Sequence, residues 1–162
     1  MDNTTVDIDA VVELWLIQVV TAIPEVVSTV GYNDRDAGLV QFYKRGAQEG
    51  FHYPYGTFRN QSDGSRITAF QGKRPLSQVM ASARSFWVVS WHGLASQDVD
   101  LARLNRVTME VLQAQRQQDT PYGRILSIGL ARTLDPWTGK DPQTQMEYAQ
   151  RGSEWLVMAA HR

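Results

Sequence analysis

The sequence predicts an α+β protein: a mixed, mainly antiparallel sheet with two amphipathic helices packed on one face. Three observations carry this. An apolar face recurs at helical spacing in Ile8, Val11, Val12, Trp15, Leu16, Val19 and Val20. A second recurs in Leu101, Leu104, Thr108, Val111 and Leu112. Around them run short segments rich in β-branched and aromatic residues, broken by Gly and Pro, with no internal repeat.

The first helix is expected over 8–22, with Asp7 or Asp9 as its cap and Pro24 as its stop, because proline cannot donate the next backbone bond. Val26 to Val30 reads as a short strand. Gly31 to Gly38 reads as a loop, Leu39 to Tyr43 as a strand and Arg45 to Gly50 as another loop. Tyr53 to Phe58 is extended, with Pro54 at its start or on an edge. Asp63-Gly64 marks a hairpin turn, with 66–70 as the return strand. Residues 78–83 read either as an extension of the next strand or as a short helix.

That next strand, 85–91, reads as central. Phe86, Val88 and Ser90 alternate with Trp87, Val89 and Trp91, so both faces are largely apolar. His92-Gly93 is expected to end it. Asp98 and Asp100 suit the start of the second helix, near its unpaired amides and positive dipole end. A strand follows at 125–134, with Ile125, Ser127, Gly129 and Ala131 on one side and Leu126, Ile128, Leu130 and Arg132 on the other. Residues 135–142 read as a turn-rich loop. Residues 143–150 read as an exposed strand with Met146 and Tyr148 inward, Gly152 as a turn, and 155–160 as the last strand.

A chain of 162 residues is expected to form one domain over 1–162. With 43% hydrophobic and 20% charged residues, the composition argues against disorder and against a membrane protein. The apolar run from Val11 to Ile23 is too short to span a bilayer and contains Glu13 and Gln18. Net charge is -1, so no global field recruits nucleic acid or an anionic surface. Charge is nevertheless uneven along the chain. Asp2, Asp7, Asp9, Glu13, Glu25, Asp34 and Asp36 face only Arg35 in the first part. Lys44, Arg45, Arg59, Arg66, Lys73, Arg74 and Arg84 then face only Glu49 and Asp63. Such polarity suits charge-matched assembly.

Without cysteine there is no disulfide, thiolate metal site or thiol nucleophile. His52, His92 and His161 lack metal-site spacing. Asp34-x-Asp36-x-Gly38 fails as a calcium loop because its twelfth position is Arg45. Ser90-Trp91-His92 cannot pair a nucleophile with a base if all three lie in one strand. No catalytic residue, cofactor or metal is expected. Of the tryptophans, Trp15, Trp87 and Trp91 fall on core faces, leaving Trp137 and Trp155 for contact roles.

The succession of pieces resembles the tail terminator (tail completion) proteins of long-tailed bacteriophages. The resemblance runs through Val11-Val12-Glu13-Leu14-Trp15, the Ile23-Pro24 break, Val26-Val27, Tyr53-Pro54-Tyr55, the strand at 85–91, the helix at 101–112 and a close in Trp155-Leu156-Val157-Met158. It covers nearly the whole chain, but the segment from Tyr32 to Gly50 is longer than the usual loop. It implies a non-enzymatic virion protein, assembled in the host cytoplasm. Six copies would form a ring that caps the head-proximal end of the tail tube, stops its polymerisation and meets the neck protein. Genomic DNA would pass through without sequence recognition, and no membrane is involved.

The residues expected at interfaces are Lys44, Arg45, Arg59, Arg66, Lys73, Arg74 and Trp137, with the acidic first part of one copy meeting the basic part of the next. Other readings are a stopper or adaptor-like neck protein, or a small module binding peptide or nucleic acid through bases interleaved with Tyr53, Tyr55 and Phe58.

Overall fold

The computed structural model describes residues 4–61, 67–69, 82–121 and 123–161. Three helices occur among them: α1 (Thr4–Thr21), α2 (Pro24–Val30) and α3 (Asp98–Gln113). Eight strands form one sheet: β1 (Phe42–Lys44), β2 (Tyr55–Asn60), β3 (Ile67–Ala69), β4 (Ser82–Leu94), β5 (Gln118–Asp119), β6 (Gly123–Thr133), β7 (Trp137–Lys140) and β8 (Glu147–His161). The order across the sheet is β1-β2-β4-β8-β6-β5, with β3 also on β4 and β7 also on β8. Among the described strand pairs only β1–β2 is parallel. The mixed, mainly antiparallel sheet with helices on one face is therefore as expected, with one helix more.

The additional helix is the segment read as a strand at 26–30. Pro24 does stop α1, but it also sits at the first position of α2, where a missing N–H costs nothing and a fixed φ suits the helix. Val26 and Val30, four apart, are both buried. Their burial on one face of a helix outweighs the extended preference of β-branched residues. The two helices bend by 83° at the break. No single helix among the described residues is long and apolar enough to cross a membrane, and the apolar side of the bent pair packs into the core.

The core lies between sheet and helices. Ile8, Val11, Val12, Trp15, Leu16 and Val20 of α1 and Leu101, Leu104 and Leu112 of α3 meet Phe58, Trp87, Val89, Trp91, Trp155 and Val157 of the sheet. Trp155, left for a contact role by the sequence, is fully buried, and its Nε1 donates to Ser153 Oγ at 2.8 Å. Asp98 and Asp100 occupy the first turn of α3 as expected, and Asp98 also takes a bidentate bond from Arg151 of β8, at 2.8 Å to each oxygen. The pair holds Asp98 below the usual carboxylate range, chiefly through the Arg151 hydrogen bonds.

Several expected turns lie inside long strands. β4 does not end at His92-Gly93, because Gly93 still pairs with Ala149 and the strand runs to Leu94. The chain then enters α3 through a 3-10 turn at Ala95–Gln97, and the Gln97 side chain accepts from Leu94 N at 2.9 Å. Gly152 does not turn the chain. It pairs with Ser90 inside β8, and a Cβ there would stand 3.2 Å from Leu134 Cδ1. Residues 137–140, read as loop, form β7, which lies along β8 in line with β6.

The hairpin expected between the extended segment 53–58 and a return strand at 66–70 does not form among the described residues. Both β2 and β3 pair with β4, at Tyr55↔His92 through Asn60↔Trp87 and at Ile67↔Arg84 through Ala69↔Ser82. The Asp63-Gly64 turn, the connection at 72–75 and residues 78–81 lie outside the described residues.

In β6, register shifts between Ile125 and Ser127 and between Leu130 and Arg132 break the strict alternation. Ile125, Ile128 and Leu130 therefore all reach the core, although the sequence pattern placed Ile125 opposite the other two. β6 also approaches β8 and α1 closely at Gly123. A Cβ there would stand 2.2 Å from Ala160 O and 2.7 Å from Val11 Cγ2. Gly123→Ala is expected to cost about 1–3 kcal/mol through forced separation. A urea titration reads this as a lower midpoint at unchanged slope, and an unchanged midpoint would show that the strand pair relaxes freely.

Candidate assembly surfaces

Among the described residues, no helix covers the second face of the sheet. Cross-strand register arranges that face in rows. At one end Tyr55, His92, Gln150 and Trp137 lie side by side. Next come Thr57, Ser90 and Gly152, with Leu134 over the glycine. The third row is Arg59, Val88, Glu154 and Arg132, in which Arg132 Nε reaches Glu154 Oε1 at 3.3 Å. The fourth is Phe86 and Leu156, and the fifth Arg84 and Met158. Phe86 is 39% exposed, and Arg59 and Arg84 are also exposed.

Of the residues expected at interfaces, Arg59 and Trp137 share this face, two rows apart. Trp137 is 54% exposed, and its indole lies against Gly139, where a Cβ would stand 2.3 Å from the ring. Lys44 is elsewhere. It ends β1 and pairs with Glu13 of α1 at 2.8 Å. One acid–base contact expected between copies is thus made within the protomer, because parallel pairing on β2 brings β1 over α1. Arg45 follows it, exposed, with a φ of 69°. Arg66, Lys73 and Arg74 lie outside the described residues.

Rings gather at the first row. The His92 imidazole stacks on Tyr55, with centroids 4.9 Å apart, and its Nε2 lies 2.9 Å from Thr57 Oγ1. Burial, helped by the Arg59 charge, pushes its pKa down to about 4. Tyr53 contacts Tyr55, Tyr148 and Phe51, and burial first, then Tyr148, pushes its pKa up to about 12. Phe58 points into the core instead, so Tyr53, Tyr55 and Phe58 do not form one stacking platform. Among the described residues no group of three His, Asp or Glu side chains is placed to hold a metal ion.

The segment 32–50 is organised by two side chains that sequence reasoning missed. Gln41, fully buried, donates from Nε2 to Val30 O, His52 O and Pro54 O and accepts at Oε1 from His52 N and Tyr43 Oη. Asn33 donates to Tyr43 Oη and Glu49 O and accepts from Arg35 N and Asp36 N. A single polar residue between Val40 and Phe42 was the one visible signal. His52 adds a ring nitrogen 2.9 Å from Asp34 Oδ1 and the other 3.1 Å from Val30 O.

On the helix side, α1 turns Ala10, Leu14, Ile17 and Thr21 outward, with Leu14 44% and Ile17 37% exposed. Beside that stripe an open groove of about 520 Å³ runs between the α1–α2 corner and α3, edged by Glu25 and Glu110.

No protein-family model and no curated protein matches this chain. A solved virion chain shares the fold. That chain belongs to the virion of a native gene transfer agent particle; it is 14% identical, the match spans 88% of this chain and 91% of that one, and the TM-score is 0.54. The likeness is one of architecture.

Proposed function

We propose that this chain is a structural subunit of a phage-like virion, and within it the terminator that closes the head-proximal end of a tail tube. The observation that carries the reading is the likeness of fold, over almost the full length of both chains, to a component of a gene transfer agent virion. The order of helices and strands that resembles tail terminators adds to it. In this reading no bond is made or broken. Six copies close a ring through a heterologous interface, one ring face meets the tube protein, the other meets the neck, and DNA passes through the middle. The sheet face opposite the described helices, with the exposed Arg59 and Trp137 on it, supplies a surface for such contacts.

Native mass spectrometry with negative-stain microscopy, on the protein alone and with its tail tubes, tests this. A sixfold ring seated on tube ends is the expected result. A ring of twelve would replace the terminator by an adaptor. A protein that stays monomeric with tubes present and shifts with an oligonucleotide would replace it by a binding module.

A further inference from the structure

We propose that two copies of this chain associate about a two-fold axis, with the outward face of α3 in one packed antiparallel against the same face in the other. The inference goes beyond the terminator reading and does not depend on it. Its first ground is the order of charge along α3. Leu101, Leu104, Thr108 and Leu112 give the helix its core side. Val99, Arg103, Arg106, Glu110 and Gln113, spaced by four and three, share the opposite side and are all exposed. Acids therefore open the face at Asp98 and Asp100, bases follow at Arg103 and Arg106, then comes Glu110, and Arg116 stands just past the helix end. Asp98 is taken by Arg151 and Asp100 by Arg103, whereas Arg106 and Glu110 make no ion pair among the described residues.

Reversed, this order is complementary to itself. Arg103 set opposite the partner's Glu110 brings Arg106 beside the partner's Val107 and Asp98 beside the partner's Arg116. Base then meets acid at the middle and at both ends, and the two-fold axis repeats every pair. Parallel pairing in register would set each charge against its like. The second ground is the groove. It is walled by half-buried Val107 and Val111, edged by Glu25 and Glu110, and no base lines it. The register that pairs the charges places Val99 at the partner's Ala114, at the groove's end. Val99 is 76% exposed, more than any other large hydrophobic residue among the described ones. Apolar contact in the groove supplies attraction, and the rim charges fix the direction of the helices.

Sedimentation velocity of the full chain, free of tubes and over a concentration series, tests this. The parent is expected to pass from monomer to dimer. Arg103→Glu and Glu110→Arg each set like charge against like at two places in the dimer, and each is expected to weaken it by about tenfold or more. Mixing the two single variants restores base against acid, as does the double variant Arg103→Glu/Glu110→Arg, so dimers should return in both. Such rescue does not follow from a general loss of stability, and thermal melting should stay that of the parent. Glu147→Arg, the same change of charge at the start of β8, is the control and should dimerise like the parent. Should one single variant not fold, the other and the double variant carry the same comparison. Dimers undiminished in every folded single variant, or absent from the double variant, would overturn the contact. So would a parent found at every concentration only as monomers or as single rings. Sixfold rings on tubes are read separately, and their absence would remove the terminator reading while leaving the dimer standing.

Discussion

Leu104→Asp is expected to leave no soluble, cooperatively folding protein. Leu104 is 1% exposed, in the middle of α3, and belongs to the same core cluster as Trp87, Val89 and Trp155 of the sheet. No described base stands in that core to pair with a carboxylate. Burying a carboxylate without a partner costs several kcal/mol even after it takes up a proton. That is comparable to the whole stability of a domain, about 5–15 kcal/mol. Trp15→Asp should fail in the same way, and it also removes the donor that Trp15 Nε1 offers to Gln118 Oε1 at 3.0 Å. Leu104→Ala separates loss of packing from buried charge. It should remain soluble and lose about 2–5 kcal/mol by urea titration. A Leu104→Asp protein with a parent-like sigmoidal unfolding curve would contradict the placement of α3.

Stability should fall between pH 6.5 and about 4, and His92 should account for a large part of the fall. Its pKa is lowered from 6.5 to about 4, first by burial and then by Arg59. A group whose folded pKa is depressed binds its proton more readily in the unfolded chain. Its contribution is therefore fully present above pH 6.5 and is lost as pH drops through the folded value. At about 1.4 kcal/mol per unit the contribution is on the order of 2–3 kcal/mol after allowance for partial exposure. His92→Gln, which can still meet Thr57, should flatten the curve in this window. Asp98, depressed by Arg151, works in the same direction at lower pH, so the lower limb should survive the substitution. Titration of the imidazole by NMR gives the direct reading, and an apparent pKa near 6.5 would remove His92 as the cause.

Local patterns that depend on a residue's own side chain were legible. The apolar faces of α1 and α3 and the two-sided apolar strand containing Trp87 and Trp91 stand where periodicity puts them. Patterns that depend on a distant partner were not. Val26 and Val30 read as strand residues until Pro24 and the neighbouring α3 are seen to favour a helix. Gly93 and Gly152 read as breaks, yet cross-strand bonds with Ala149 and Ser90 carry the chain straight through them. The alternation in β6 misleads from Leu126 onward because of its register shifts.

The candidate surface divides in the same manner. Arg59 and Trp137 were recognisable as exposed residues without a core role, but their common face follows from register through β4 and β8. The charges of α3 were present in the sequence, but only burial showed which side of the helix the core already used.

By itself the sequence determined which segments are apolar on one side, how its charge is distributed and that no cysteine chemistry is possible. Tertiary structure alone decided which strands pair, which side of each element remains for a partner, and that Lys44 meets Glu13 within one protomer. The reason is physical. Side-chain periodicity is written residue by residue, whereas pairing is made through backbone groups that nearly every residue carries alike. The choice among possible partners therefore falls to the packing of the whole chain.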